Sequence, residues 1–384
     1  MNICIVSEGY PYEEDSQFSF VEQLCIEMSK QGVMVTVISP QSLLHVLLLK
    51  DKKHPLHRTY KNGGFPIDVY RPFALLAPYR FWRYNDYCFK KSVSRLFRKL
   101  NKKIDVCYGH FWNNAYYISN EAIKNNIPLF VASGEGNFDD LEKKYKSKNY
   151  QDFSKQVKGV ICVSSSCRDI SISYGLANDS ICKVFPNAID NSIFYKKEKN
   201  SLRRIYGFND SDFIVVFVGG FINRKGSNRL SDAILKLEQE GVFVKSFFIG
   251  KGQGPENLVP TCNGVLHCGP MEHSKISDYL NMADIFVLPT LNEGCCNAII
   301  EAMACGLPIV SSDRPFNHDI LNSSNSILID PNNIDQIKDA IKELYYDRIM
   351  LKKLSEGAFN SAQQLTINQR CTSILNFINE KITD

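Results

Sequence analysis

The sequence predicts an α/β protein made of two Rossmann-like, doubly wound parallel-sheet domains. Two observations carry that prediction. Short apolar runs rich in β-formers alternate with helical stretches through the first half, and the second half repeats the style, as strand–helix–strand crossovers do. The chain is also 384 residues long, more than one core usually serves, and suits two domains that each bury a full sheet.

Taken in order, strands are expected at 2–7, 34–38, 68–71, 105–109, 129–132, 160–163 and 181–185, then at 213–218, 243–249, 265–267, 284–288 and 309–311. The boundary belongs near PNAIDNSIF, residues 186–194, where a strand ends and a polar stretch with Lys196, Lys197 and Lys199 leads into a new helix. The expected domains are therefore 1–186 and 187–365, with Pro186 and Asn187 as the hinge.

Composition excludes several classes. Apolar residues make up 44% and charged residues 22%, ordinary for a soluble globular chain, and a net charge of +4 is too weak to argue for nucleic acid without a zinc-ribbon, RRM or helix-turn-helix pattern. The 13 cysteines are odd in number and sit mostly in apolar runs, as small core hydrophobes do in a reducing compartment. No CxxC pair exists, and the adjacent Cys295 and Cys296 have the wrong spacing for a tetrahedral metal site, so neither zinc nor disulfides are expected. The amino terminus MNICIVSEGYP lacks a basic segment followed by a long apolar one, and no run reaches about 18 apolar residues. A cytoplasmic protein is expected, free or on the cytoplasmic face of the inner membrane.

The most informative stretch is 289–313, PTLNEGCCNAIIEAMACGLPIVSSD. An apolar strand ends at Pro289, Gly294 suits a strained turn, and helix formers run from Cys296 to Cys305 before Gly306, Leu307 and Pro308 stop them. The first free amides of such a helix, from Gly294 to Ala298, favour an anion such as a diphosphate. Glu293 precedes the helix and Glu301 falls in its second turn. Carboxylates accept hydrogen bonds from sugar hydroxyls, so two acids bracketing an amide nest suit a nucleotide-sugar. Two glutamates eight apart also occur by chance in helical proteins. Further upstream, Gly219 and Gly220 end a strand, followed by Asn223, Arg224, Lys225 and Gly226. Two cations there suit a leaving diphosphate and supply what a divalent metal otherwise would; the alternative is a solvated pair at a helix start. Gly250, Lys251, Gly252 and Gln253 end the next strand, at the edge where open α/β sheets bind ligands.

On these residues the chain resembles the retaining glycosyltransferases of the GT-B fold, specifically family 4, whose signature is a Glu-x7-Glu element like Glu293 to Glu301. The resemblance extends to the Pro-Asn-x-x-Asp element at Pro186 and to Lys225, whereas Gly220 stands where relatives often carry an arginine. It implies two domains facing a central cleft, an amino-terminal one for the acceptor and a carboxy-terminal one for the donor, with a last helix, 366–384, crossing back to the first domain. It also implies that Glu293, Lys225 and Arg224 are catalytic. Glu301 would bind the ribose hydroxyls, Gly294, Cys295, Cys296 and Asn297 the sugar and diphosphate, Gly219 and Gly220 would be donor-binding, and Gly250 and Gly252 would line the base and ribose pocket. The donor would be a UDP- or GDP-sugar, with no cofactor and no metal. Eight helical steps span about 12 Å, beyond the roughly 5–9.5 Å of hydrolase carboxylate pairs, which disfavours a glycosidase.

The amino-terminal domain offers Glu8 and Gly9 at the end of the first strand, His110 and Glu135 as acceptor-side candidates. A run of Ser16, Gln17, Phe18 and Ser19 stands where relatives have a glycine-rich loop. Each candidate has the alternative of being a satisfied structural polar group. Residues 80–103 hold nine Lys or Arg against one Asp, interleaved with Phe81, Trp82, Tyr84, Tyr87 and Phe89. Such a segment suits an anionic bilayer, or else is a packed helix with a solvated basic face. The run 43–49 is a buried helix turn or another membrane-facing patch. The acceptor expected from relatives is a glycan or lipid-linked glycan of bacterial capsule, O-antigen or exopolysaccharide. The rival readings are a non-catalytic GT-B partner subunit, which retention of Glu293, Lys225 and Glu301 opposes, and a sugar-nucleotide epimerase of the same fold.

Overall fold

The computed structural model describes residues 1–12, 18–48, 54–76, 81–136, 141–253 and 256–383. Ser16, Gln17, Leu49 and Arg80 of the segments named above lie outside them. The chain forms two compact units, Met1–Phe185 with Ile367–Asp384, and Pro186–Thr366.

The first unit is an eight-stranded sheet. Its strands are β1 (Asn2–Val6), β2 (Met34–Ile38), β4 (His57–Tyr60), β5 (Ile67–Tyr70), β7 (Val106–His110), β8 (Leu129–Ser133), β9 (Val157–Cys162) and β10 (Cys182–Val184), with the short β3 (Gln41–Ser42) and β6 (Phe73–Ala74) pairing apart. The order is β10-β9-β8-β7-β1-β2-β5-β4. Central strands such as β1 and β8 are buried along their whole length, as apolar runs covered on both faces must be. The wholly parallel sheet expected from the sequence needs one correction, because β4 runs antiparallel to β5 at the edge. Its sequence HRTY is mostly exposed, so it carries no apolar pattern to announce a strand. The carboxy-terminal helix Ile367–Thr383 belongs to this unit: Cys371, Ile374, Phe377 and Ile378 are buried in one core with Ile3, Val35, Tyr108 and Phe130.

The second unit is a six-stranded, wholly parallel sheet of β11 (Ile214–Val218), β12 (Lys245–Ile249), β13 (Val265–Gly269), β14 (Ile285–Leu288), β15 (Ile309–Ser312) and β16 (Ser326–Ile329), ordered β13-β12-β11-β14-β15-β16. β16 was not expected, since its four residues follow a polar Asn-Ser-Ser-Asn turn. The strand expected at 243–249 begins two residues later, leaving Phe243 68% exposed. Among the described residues no helix is long and apolar enough to cross a membrane.

Both sheets reverse direction once. In the first unit the order turns between β1 and β7, and in the second between β11 and β14. Such switch points open a crevice at the carboxyl ends of the strands, where open α/β sheets take their ligands. Glu8 and His110 stand beside the first, Lys225 and Glu293 beside the second.

Candidate functional site

At the switch point of the second unit, two loops are stitched together. The loop after β11 turns at Gly226, which has φ 81° and caps the helix Ser227–Gln239. A Cβ there would meet the Pro289 carbonyl oxygen at 2.5 Å, so only glycine lets this loop close onto the end of β14. The strained glycine is therefore Gly226; Gly294 is not among the glycines of positive φ. Arg229, buried on the same helix, donates to Pro289 O at 2.7 Å and to Asn223 O at 2.9 Å, and Leu291 N donates to Arg224 O at 2.8 Å. Nothing in the spacing of the sequence marked Arg229.

This closure brings three predicted residues together. The Glu293 Oε1 atom accepts from Lys225 Nζ at 2.6 Å and from Thr290 Oγ1 at 2.8 Å, and lies 3.2 Å from an Arg224 guanidinium nitrogen that also approaches Asn292 O at 2.7 Å. The Lys225 and Glu293 side chains are 15% and 10% exposed, which overturns the solvated-pair alternative for Lys225. Burial opposes the charge on Lys225, but Cys296 and Glu293 beside it reverse this and hold its pKa above the ordinary lysine value. Burial pushes the Cys296 thiol up to about 11, so at neutral pH Cys296 is a neutral neighbour of Lys225. One of the three ammonium hydrogens serves Glu293, and two remain for an anion.

The helix Asn297–Ala304 begins where expected, with Cys296 as its N-cap. The Cys296 carbonyl accepts from Ile299 N at 3.2 Å and from Ile300 N at 3.4 Å, closing the first turn. Asn187 braces this turn, donating from Nδ2 to Cys295 O at 3.0 Å and to Asn297 Oδ1 at 2.8 Å. The sequence marked Asn187 as a hinge and gave no sign of that brace. Glu301 lies in the second turn, and its Oε1 is 3.5 Å from His273 Nε2, at the start of the helix His273–Met282. His273 was missed because its partner is set only by the fold.

The contact with Glu301 raises the His273 pKa above its ordinary value, against the opposing effect of burial. A raised value means that this pair adds stability fully present below the ordinary imidazole pKa of about 6.5 and lost as pH rises through the folded value. Glu301→Gln is expected to lower the His273 titration midpoint, followed by NMR of its ring protons. An unmoved midpoint would show that the carboxylate is not the cause.

The glycines expected at the donor site sit on adjoining strand ends. Gly219 N donates to Ile249 O and Gly250 N to Gly269 O, both at 2.9 Å, and a Cβ on Gly250 would fall 1.9 Å from the Gly219 carbonyl oxygen. Gly220 packs on Gln253, and Gly252 on Asn257 and Glu256. These backbones form the floor beside the glutamate element.

The candidates of the first unit have separate roles. Glu8 is exposed and its Oε1 accepts from Tyr117 Oη at 3.3 Å. Gly9 carries the Phe18 ring where a Cβ would stand, 2.2 Å away. Phe18 and Phe111 both hold positive φ, 62° and 79°, and their rings lie 6.4 Å apart, so strain concentrates at this switch point. His110 is buried, its Nδ1 has no partner among the described residues, and burial with nearby Arg370 drives its pKa down to about 3. It is a neutral imidazole at physiological pH. Glu135 is fully engaged: Oε1 accepts from Trp112 N at 2.9 Å and Tyr145 Oη at 3.1 Å, and Oε2 from Gly134 N at 2.9 Å and Ser133 Oγ at 3.3 Å. Burial raises its pKa, and the amides of Trp112, Glu135 and Gly134 with the Tyr145 hydroxyl oppose that rise. The carboxylate anchors the start of the helix Trp112–Lys124, the structural alternative left open by the sequence.

Residues 18–192 match the family model described as Glycosyltransferase Family 4, and residues 198–361 the one described as Glycosyl transferases group 1. The chain is 25% identical over 376 residues to TuaC of Bacillus subtilis (strain 168), named for teichuronic acid biosynthesis as a glycosyltransferase, covering 94% of each chain. It is 26% identical to the Escherichia coli UDP-Gal:alpha-D-GlcNAc-diphosphoundecaprenol alpha-1,3-galactosyltransferase, over 68% of this chain and 71% of that one. Among solved structures, Anabaena HepE in complex with UDP superimposes with a TM-score of 0.75 at 15% identity, covering 99% of this chain and 100% of that one.

Proposed function

Since the chain belongs to the family 4 glycosyltransferases of GT-B fold, we propose that it is a retaining, metal-independent transferase using a UDP- or GDP-sugar as donor. Its acceptor is a lipid-linked or other glycan of a bacterial surface polysaccharide, handled at the cytoplasmic face of the membrane, with 80–103 as the segment nearest the bilayer. The observation that carries this reading is the convergence of Lys225, Arg224 and Thr290 on one oxygen of Glu293 beside a helix start. The relatives named for teichuronic acid synthesis and for transfer to a diphosphoundecaprenol acceptor support the acceptor class, and the neighbour solved with UDP supports the donor.

In this mechanism the diphosphate leaves as positive charge grows on the anomeric carbon, and the acceptor hydroxyl attacks from the same face. Lys225, Arg224 and the amides of Gly294 to Asn297 stabilise the departing charge, a preorganised electrostatic effect that costs no reorganisation at the moment of reaction. The leaving phosphate takes the acceptor proton. Glu293 keeps Oε2 for a hydroxyl of the sugar, Glu301 holds the ribose, and the glycine backbones of 219, 220, 250 and 252 face the nucleoside. Asn187→Ala removes both braces of the amide turn. It is expected to weaken donor binding roughly 2- to 10-fold, as losing a net hydrogen bond does, read by titration with the nucleotide.

The test is a donor panel in EDTA, with UDP-, GDP- and ADP-sugars scored by thermal shift and nucleotide release. At a hundredfold excess over Kd a single donor adds about 2.7 kcal/mol, which raises Tm by roughly 5–10 °C for a unit of this size. A shift that EDTA abolishes would overturn metal independence, and silence from every donor would overturn the transferase reading.

A further inference from the structure

The basic segment resolves into paired and unpaired charge. Within the helix Trp82–Phe97 and the turn after it, Arg98 pairs with Glu121 at 2.8 Å, Lys102 with Asp68, Lys103 with Asp105, and Lys90 stands 3.9 Å from the Tyr116 ring centroid. The one acid, Asp86, is buried and bound to Lys144 at 2.7 Å. Lys91, Arg95 and Lys99 follow at four-residue intervals on one face, all exposed, and have no carboxylate partner among the described residues.

These three cations rim a cavity of about 500 Å³ in the first unit. Its floor is apolar: Leu43, Phe73, Ala74 and Leu96. Ser92 Oγ donates to Phe73 O at 2.9 Å and pins β6 against the helix, which shapes the wall. Tyr84, Tyr87 and Leu75 stand at the mouth with 42%, 58% and 47% exposure, a large apolar surface for a water-facing helix. The Tyr87 hydroxyl accepts from Lys91 Nζ at 3.1 Å, which aims the ammonium along the rim. β3 and β6 follow the carboxyl ends of β2 and β5, so the cavity opens at the same edge of the sheet as Glu8 and His110.

A hydrocarbon floor under a row of uncompensated cations fits an amphiphile that carries its negative charge at one end. We propose that this cavity binds the phosphate-bearing end of the lipid that carries the acceptor, with phosphate oxygens on Lys91, Arg95 and Lys99 and the first carbons of the chain on Leu43, Phe73 and Leu75. The inference rests on the lipid-linked form of the acceptor reading above and gives that lipid a site of its own in the first unit.

The test uses the full chain with farnesyl phosphate as a water-soluble probe, by calorimetric titration, in wild type and in Lys225→Ala so that binding at the candidate donor site is set aside. Saturable binding that survives Lys225→Ala is expected. The variant K91Q/R95Q/K99Q, changed only at exposed positions, is expected to bind roughly 100-fold more weakly, since each cation near an anionic lipid contributes about fivefold. Leu75→Gln should weaken the probe while leaving inorganic phosphate unaffected. Equal affinity for inorganic phosphate would reduce the site to an anion site, and full competition by phosphatidylglycerol vesicles would reduce it to general membrane charge; either overturns the proposal, as does an unaffected triple variant. The donor panel on the wild type separates the two readings: a nucleotide shift without farnesyl phosphate binding sinks the lipid site alone, and the reverse sinks the donor reading alone.

Discussion

Lys225→Ala is expected to lower kcat by about 10²- to 10³-fold, the range for removing one preorganised donor from a charge-developing transition state. The substitution acts twice. It removes the two ammonium hydrogens left for the diphosphate, and it leaves Glu293, only 10% exposed, with Arg224 and Thr290 as its remaining neighbours. Arg224 does not replace the lost ammonium at Glu293, because its nitrogen nearest that carboxylate is already committed to the Asn292 carbonyl at 2.7 Å. Lysine to arginine is no conservative exchange here either, since a planar fork does not fit where a compact ammonium is 2.6 Å from one carboxylate oxygen. Steady-state kinetics with the donor found in the panel would measure the loss, and a thermal shift would show whether donor binding falls with it. Unchanged turnover and unchanged binding in both Lys225→Ala and Glu301→Ala, in folded protein, would sink the assignment of this site.

The largest loss of stability is expected from Arg203→Ala, about 3–5 kcal/mol, because it strands a buried carboxylate. Arg203 is 1% exposed and spends its guanidinium entirely inside the second unit: on Met282 O at 2.8 Å, on Asp210 O and Asp212 O at 3.0 and 2.8 Å, and on Asp284 Oδ2 at 2.8 Å. Asp284 in turn accepts from Ile214 N at 2.7 Å and from Lys199 Nζ at 2.8 Å. One network thus fastens the starts of β11 and β14, the two strands whose far ends carry Lys225 and Glu293. Denaturant titration would read the loss, and Tm should fall by roughly 6–20 °C. Arg203→Lys should recover little, as one ammonium cannot reach three carbonyls and a carboxylate. A loss below about 1 kcal/mol would mean that the network is dispensable.

Much of the donor-side machinery was legible because it is local. The strand ending at Leu288, the helix from Asn297 and the two glutamates lie in one stretch, and their periodicity, turn residues and apolar runs are written in consecutive positions. What escaped is contact between distant loops. Gly294 looked like the strained glycine since it sits in the motif, yet the constraint falls on Gly226, where the loop after β11 must pass the Pro289 carbonyl. Arg229 and His273 carry no local mark at all; their partners, Pro289 and Glu301, arrive from the loop after β14 and from the helix Asn297–Ala304. Glu135 illustrates the opposite error, a cleft-facing candidate by position whose four donors commit it to holding a helix start. β4 was invisible for a different reason: an exposed edge strand needs no apolar pattern, so its polar sequence reads as loop.

The placement of the helix Ile367–Thr383 makes the second unit an insertion into the first. On the ribosome the chain therefore finishes its second sheet before the first can be completed. At about 5–20 residues per second, the sheet around Val35, Tyr108 and Phe130 waits roughly 10–40 s for Ile374, Phe377 and Ile378 to cover it. During that interval an apolar sheet face is open to the cell, a client for chaperones. Damage to the tail, whether by nonsense mutation or by nicking after residue 366, would be felt at the opposite end of the polypeptide, in the unit that the amino terminus begins.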